Sequence, residues 1–431
     1  MVCQAGQEVV PAMRNFIVKE NRLSEKERRN LGILDAIRRG GEISRADISR
    51  IADLNIVTVS NYVSKYIKDK IVFETGLDIS TGGRRPELLK LNRQYGYSIG
   101  IDLGSPHLTA DAAIVGVIMD LSGKILAKEK VKKEKESFDK LTGKVLDMTD
   151  VLVKKSGLRG SDIKGAGVGI WGVIDRYRAM VRYAIENEQI VSYTNLLDQL
   201  EARFGAPALI EHDATLAAFG ERWSGIGAGS TAENLIFLCA DSSCGLIVKG
   251  ELYYGASKSA GELNLNPPYP GEESAPDNCW ASYDYGCCLR SRGIDLGIPS
   301  RVRTYLEEHP GEKSLILEAA GGMPGNIDLN CVIEAAEKGD ELAKKAIEDT
   351  GAYLGVKIAF LINLFNPEVV IVGRGVEKVG DMFFSAVRRS VRKWAYEESV
   401  KVVKILPTSL GEDVVAAGAA ALVIQNLFAK V

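Results

Sequence analysis

The chain has 431 residues, 46% hydrophobic and 26% charged, which is too long for one small core and matches a soluble globular protein of two or three domains. No run approaches the roughly 18 consecutive apolar residues of a membrane span, and the opening MVCQAGQEVVPAMRNF has no apolar signal-type core. Seven cysteines in so long a chain are no disulfide framework and point to a reducing cytoplasm. The net charge of −3 is unevenly shared: residues 1–93 hold 17 basic and 12 acidic side chains, leaving 37 against 45 for the rest. A mildly basic head on an acidic body suits a nucleic-acid partner for the head alone.

The first domain is expected over residues 24–92. Residues 28–70 read as three short helices. RRNLGILDAIRRGG places Leu31, Leu34 and Ile37 at successive i, i+3 spacing and stops at Gly40-Gly41. In SRADISRI, Ser44 is an N-cap with Asp47 three residues on, an arrangement like a capping box. After the turn ADLN comes IVTVSNYVSKYIKDK, where Val59, Val63 and Ile67 form the buried stripe. Thr58, Ser60, Asn61 and Lys65 then point largely elsewhere. Helix, short turn and helix with a polar outer face is the helix-turn-helix arrangement, whose second helix enters the major groove of duplex DNA. Thr58, Ser60 and Asn61 have the size and hydrogen-bonding capacity to reach base edges, and Lys65 to reach phosphate. Two strand-like runs around Gly82-Gly83-Arg84-Arg85 read as a β-hairpin wing, with Arg84 and Arg85 as further DNA contacts. The competing reading is a small helical dimerisation module with a solvated polar face.

From Tyr97 onward strands alternate with helices. YSIGIDLG, AAIVGVIMDLSGKILAKEKV and IKGAGVGIWGVID are strand-rich, and FDKLTGKVLDMTDVLVKKSG is an amphipathic helix. APALIEHDATLAAFGERW is a short strand ending at Glu211-His212-Asp213 followed by a helix. NLIFLCADSSCGLIVKGELYYG restarts the hairpin theme. Two related α/β halves predict two lobes, at 95–213 and 214–431, with a ligand cleft between them and the C-terminal helix returning to the first lobe.

The motifs stand in this order: STGGRRP, GIDLG, GVGIWGVID, EHDATLAAFGE, GELYYGASKSAGEL, LFNPEVVIVGRGV and SLGEDVVAAGAAAL. From about Asn30 to the C-terminus the chain resembles the ROK family of sugar kinases and sugar-responsive repressors, including its xylose- and N-acetylglucosamine-responsive members. The resemblance implies an α/β fold: a two-lobed, actin-like ATPase (ribonuclease H-like) body, here behind an N-terminal winged helix-turn-helix domain that only the regulator branch carries. It also implies operator DNA and a small sugar or sugar derivative as partners, a homodimer or homotetramer, a cytoplasmic location and no membrane association.

Three places where family kinases contact nucleotide differ in this chain. The first turn, usually Asp-x-Gly-Gly-Thr, keeps Asp102 and Gly104 but continues Ser105-Pro106-His107, and proline has no amide to offer a phosphate. The second, usually Gly-Thr-Gly-x-Gly, reads ADSSCG, keeping Gly245 and placing Asp241 toward a polyanion. The third, usually a glycine pair near the adenosine, reads Gly373-Arg374-Gly375. Phosphoryl transfer depends on positioning and charge stabilisation, so three altered cradles predict no ATP turnover and no catalytic residue. The alternative is an active sugar kinase with an appended DNA-binding domain, in which Arg374 or Ser242 and Ser243 hold phosphate in another way.

The sugar side is better kept. Asp213 matches the family's general base and Glu262 its second hydroxyl-binding carboxylate. Each also has a plain structural reading, Asp213 as a helix cap and Glu262 as a solvated loop carboxylate. His212 stands where the family has Asn, and Asn264-Leu265 where it has Gly-His. His212 either bonds a sugar hydroxyl or is a buried structural histidine, and Trp171 either stacks on a sugar or fills core. The resemblance also raises a zinc cluster. Here Cys279, Cys287 and Cys288 are weak candidates, because the family's middle cysteine and its histidine are missing. Three thiolates, two of them adjacent, make a poor closed tetrahedral site, so no cofactor is expected.

Overall fold

The computed structural model describes residues 23–77, 87–104, 112–134, 136–175, 179–183, 189–225, 232–239, 243–263 and 296–431. Its first helix, α1 (Glu25–Gly40), starts at a reciprocal cap: Ser24 Oγ accepts from the Glu27 amide at 3.3 Å and Glu27 Oε2 accepts from the Ser24 amide at 2.7 Å. It ends where Gly41 takes φ +69°. The buried face is Asn30, Ile33, Leu34, Ala36 and Ile37, broader than the expected line, and Leu31 is only half-buried. A short strand β1 (Glu42–Ser44) leads to α2 (Arg45–Ile51), capped by Ser44, whose hydroxyl accepts from the Asp47 amide at 3.2 Å.

In α3 (Ile56–Lys68) Asn55 caps the Thr58 amide at 2.8 Å, and the buried residues are Val59, Val63 and Tyr66. Ile67, expected in that stripe, is half-buried. At 3.6 residues per turn, seven residues return to within about 20° of the starting direction while eight overshoot by about 80°. The Tyr66 hydroxyl then donates to Asn30 Oδ1 at 2.6 Å. Strands β2 (Val72–Leu77) and β3 (Glu87–Leu91) pair antiparallel in a sheet of order β1-β3-β2. Arg84 and Arg85 lie outside the described residues.

The body contains two five-stranded mixed sheets of one plan. The first is built from β4 (Tyr97–Asp102), β5 (Ala113–Asp120), β6 (Ile125–Lys132), β7 (Ile163–Ile170) and β11 (Ala208–His212). Helices α4 (Phe138–Ser156) and α5 (Thr194–Phe204) fall between these strands in the chain, with β8 (Val173–Asp175), β9 (Met180–Tyr183) and β10 (Gln189–Ser192) forming a separate small sheet. The order is β11-β7-β4-β5-β6: a three-strand antiparallel meander with two parallel strands added beside its first member. Its core includes Ile99, Ile101, Val145, Leu152, Val168, Leu196 and Leu200.

The second sheet repeats that plan. After α6 (Asp213–Ser224) come β12 (Leu235–Cys239), β13 (Ser243–Val248) and β14 (Glu251–Leu252), then helices α7 (Ile298–Glu308), α8 (Leu315–Ala319), α9 (Leu329–Glu337) and α10 (Glu341–Phe365). The parallel strands β15 (Val369–Gly373) and β16 (Lys404–Pro407) enclose α11 (Asp381–Trp394) and α12 (Glu397–Val402), and α13 (Val414–Lys430) closes the chain. The order is β14-β13-β12-β15-β16. The described residues divide into two units, one within Met1–Gly104, Ala113–His212 and Ala416–Val431, the other within Ser105–Ala112 and Asp213–Val415.

In the first unit α13 lies backbone to backbone on the sheet. A Cβ on Gly100 would stand 1.8 Å from the Ala416 carbonyl oxygen, and one on Gly167 2.5 Å from that of Ala419. The stretch Gly411–Lys430 is long and apolar enough to cross a membrane by length and composition alone, and 72% of its apolar window is buried within the protein. Its last turn is tied to the head: Asn30 Nδ2 donates to the Ala429 carbonyl at 3.0 Å and Lys65 Nζ to that of Val431 at 2.7 Å. Gly100→Ala is therefore expected to destabilise by at least about 2 kcal/mol through the forced backbone shift. Gly143→Ala in α4, where a Cβ meets nothing within 4 Å, is expected to be neutral or stabilising by up to about 1 kcal/mol. Urea denaturation of both variants checks the contrast.

Candidate functional site

One end of the second sheet gathers four of the polar groups that the sequence singles out. In the sheet Cys239 lies opposite Ser243 on one side and Gly373 on the other, so the start of β13 and the ends of β12 and β15 meet at one level. Helix α6 sits directly on β13, since a Cβ on Gly245 would stand 2.0 Å from the Ala214 carbonyl oxygen. That close approach sets Asp213, the first residue of α6, at the same end.

Asp213 is buried, with its Oδ1 accepting from the Ala214 amide at 2.7 Å. An anion in the first turn of a helix is favoured by the exposed amides and the macrodipole. Its other oxygen faces Arg374, whose guanidinium lies 3.5 Å from Oδ2, with side chains 9% and 4% exposed. Arg374 has φ +74°, and the next amide, Gly375 N–H, donates to Glu377 Oε2 at 2.5 Å. Burial holds the Glu377 carboxyl above the usual carboxylate range, opposed by backbone hydrogen bonds including that from Gly375 and by the charges of Lys378 and Arg374.

Glu262 pairs with Ser243 through an isolated antiparallel bridge, and the Cys244 amide donates to the Gly261 carbonyl at 2.7 Å. The approach demands glycine, because Gly261 has φ +99° and its Cβ would fall 1.9 Å from the Cys244 carbonyl oxygen. Burial, with the Glu262 charge second, pushes the Cys244 thiol up to about 12, so it is an inert packed thiol. Ser243 is fully buried, and its hydroxyl has no hydrogen-bond partner among the described residues. The second unit thus brings Asp213, Arg374, Ser243 and Glu262 to one sheet end, a mixture of acceptors and donors suited to hydroxyl groups.

The remaining body candidates belong to the first unit. His212 ends β11, is buried, and donates its amide to Glu211 Oε1 at 2.7 Å. Trp171 follows β7 and is 9% exposed. Asp102 ends β4 and accepts from the Gly104 amide at 2.8 Å, with Lys133 Nζ donating to the Leu103 carbonyl at 2.7 Å. Ser105, Pro106, His107, Asp241, Ser242, Asn264, Leu265, Cys279, Cys287 and Cys288 lie outside the described residues. Among the described residues no cluster of three His, Cys, Asp or Glu side chains is arranged for a metal.

On the head, α3 exposes Val57, Asn61, Ser64, Lys65 and Lys68, while Thr58 and Ser60 are half-buried. Val57, Asn61 and Lys65 fall at i, i+4 and i+8, a stripe of which sequence reasoning named Asn61 and Lys65 but not Val57. A second omission is Glu221, eight residues after Asp213 on a helix otherwise almost wholly buried. Its fully buried carboxylate accepts from Thr408 Oγ1 at 2.5 Å, the Ser409 amide at 2.7 Å, Ser409 Oγ at 3.0 Å and the Leu410 amide at 3.2 Å. The signal was available: an acid within the apolar run of a helix needs partners.

Known proteins place this arrangement in context. The ROK family model matches residues 98–426. The chain belongs to the ROK family. A putative xylose repressor from Caldicellulosiruptor sp. (strain Rt8B.4) is 30% identical over 94% of this chain and 97% of its own. A glucokinase from Halalkalibacterium halodurans is 27% identical but spans 76% of this chain and 95% of its own. The fold matches the crystal structure of a ROK family transcriptional regulator, homologous to the Escherichia coli MLC protein, with TM-score 0.71 and 20% identity over 94% of this chain and 97% of that one.

Two outcomes follow for this ROK body. Glu221→Ala strands four donors and is expected to destabilise by at least about 3 kcal/mol in urea denaturation, with Glu221→Gln intermediate. A carboxyl raised on folding favours the folded state while protonated, and that contribution is lost as pH rises through its folded value. Glu377→Gln, neutral at all pH, is therefore expected to melt progressively higher than wild type as pH increases from about 4 to about 7. Calorimetric melts across that range check it.

Proposed function

We propose that the protein is a cytoplasmic, sugar-responsive transcriptional repressor whose head binds operator DNA and whose ROK body binds a sugar-like effector without phosphorylating it. The observation that carries this reading is the extent of the two alignments. The relative named a xylose repressor matches 94% of the chain, which leaves no room to omit the head, whereas the glucokinase accounts for 76%. The head supports it physically: α2 and α3 are a helix-turn-helix, α3 the helix that enters the major groove, and β2–β3 the wing of a winged helix. Asn61, with Thr58 and Ser60 beside it, is assigned to base edges, and Lys65, Arg84 and Arg85 to phosphates. Two heads on two half-sites require a homodimer or a homotetramer.

Asp213 and Glu262 are assigned to effector hydroxyls, His212 to a further hydrogen bond and Trp171 to a stacking surface. The altered segments at Asp102–His107, Ala240–Gly245 and Gly373–Gly375 support the absence of kinase turnover. The effector acts by preferring one of two arrangements of the repressor, shifting its population between DNA-binding and released states.

Fluorescence polarisation with DNA from upstream of the protein's own gene tests the reading. Wild type is expected to bind with strong salt dependence and to release on adding a sugar such as xylose. Asn61→Ala is expected to weaken specific binding by about 1–3 kcal/mol, and Lys65→Ala to weaken all sequences alike and lower the salt slope by about 1. Absent or salt-insensitive binding overturns it. ATP consumption with xylose or glucose in a coupled assay would establish the kinase instead, and DNA binding indifferent to every sugar would leave a ligand-blind regulator.

A further inference from the structure

Arg374 sits in a backbone conformation that suits glycine better. Its φ of +74° lies in the left-handed region, which an L side chain enters against steric resistance. A strained residue persists where its surroundings hold it, and here the guanidinium, 9% exposed, is held 3.5 Å from the buried Asp213 carboxylate.

That position decides what chemistry the site admits. A sugar hydroxyl bound to Asp213 lies about 2.7 Å from the carboxylate. A phosphoryl donor must then bring its reacting atom to about 3–3.5 Å from the same hydroxyl. A guanidinium already 3.5 Å from the carboxylate stands in that approach. It also offers what the hydroxyl lacks: a hydroxyl donates one hydrogen bond and accepts two, so it donates to Asp213 while accepting from Arg374. Ser243, buried with no hydrogen-bond partner among the described residues, and Glu262 bridged to it supply a further donor and acceptor at the same sheet end. Asp213, Glu262 and Glu377 bring three carboxyl groups to that sheet end, which disfavours a dianionic sugar phosphate relative to a neutral sugar.

We propose that Arg374 takes the place of the phosphoryl donor: paired with Asp213 it forms a hydroxyl clamp that binds a neutral sugar without nucleotide and shuts phosphoryl transfer out. The clamp rests on the reading that Asp213 and Glu262 hold the effector.

Titration calorimetry on the full chain tests it, with xylose, glucose and glucose 6-phosphate as probes, each with and without magnesium AMPPNP. Wild type binds at least one of the neutral sugars, with affinity unchanged within two-fold by the nucleotide, and binds glucose 6-phosphate at least ten-fold more weakly than that sugar. Arg374→Gly weakens the neutral sugar at least ten-fold, and Arg374→Lys, which keeps the charge without the fork, falls between. Glycine suits the backbone at this position but removes one partner of a buried ion pair, so Arg374→Gly is expected to melt lower than wild type; if it does not fold, Arg374→Lys carries the comparison.

Sugar affinity in Arg374→Gly within two-fold of wild type, nucleotide-dependent binding by wild type, or preference for the phosphate overturns the clamp. Operator release measured alongside separates the two readings. Equal release of wild type and Arg374→Gly by sugar overturns the clamp and keeps the effector reading. Binding that Arg374→Gly loses, with DNA affinity unmoved by sugar in wild type, keeps the clamp and overturns the effector reading. Absence of sugar binding to wild type overturns both.

Discussion

The constraint on which the body depends is the seating of a helix backbone directly on a strand backbone. Among the described residues it occurs in each unit, with α13 on Gly100 and Gly167, and with α6 on Gly245. At such distances no side chain fits between the two, so the strand must present glycine and the helix small residues. The sequences GEDVVAAGAAAL and DATLAAFGE meet that demand. The two helices that follow the fifth strands are thereby seated directly on strand backbone. Asp213 is placed by that seating, because it is the first residue of one of them.

Buried charge is handled by dense pairing. Glu221 answers four donors from Thr408, Ser409 and Leu410, so the α6 that carries Asp213 is also anchored at its far end, to the loop before α13. At the head the same economy holds a polar group in the core: Asn30 accepts from Tyr66 and donates to the Ala429 carbonyl. Lys65 donates to the Val431 carbonyl, so Val431 sits beside the surface assigned to DNA.

What the sequence made legible follows from range. Helix starts and stops at Gly40-Gly41 and Ser44, the hairpin of β5 and β6, and the strand-to-helix junction at His212-Asp213 are local events, written within a few residues of where they act. Two strand-helix halves were visible because periodicity is local as well. The buried face of α3 was read one residue off, since Tyr66 is chosen over Ile67 by a partner on another helix. The tie from Asn30 to Ala429 spans 399 positions, and no pattern in one sequence announces it. Arg374 stood out as a long side chain where space was expected, but its meeting with Asp213 appears only when β15 and α6 reach the same sheet end.

The resemblance to known proteins divides along the same line. Several of the motifs carry glycines and alanines that let helices lie on strands, Gly100, Gly167 and Gly245 among them. Family membership therefore fixes the architecture and leaves catalysis to a handful of positions where architecture is indifferent. Position 374 is one of them. A glycine there would satisfy the backbone at φ +74° and take Arg374 away from Asp213, whereas arginine strains the backbone and stands 3.5 Å from the carboxylate. A residue that works against local geometry yet completes a buried ion pair tells more about what this chain does than the many motif residues that agree with it.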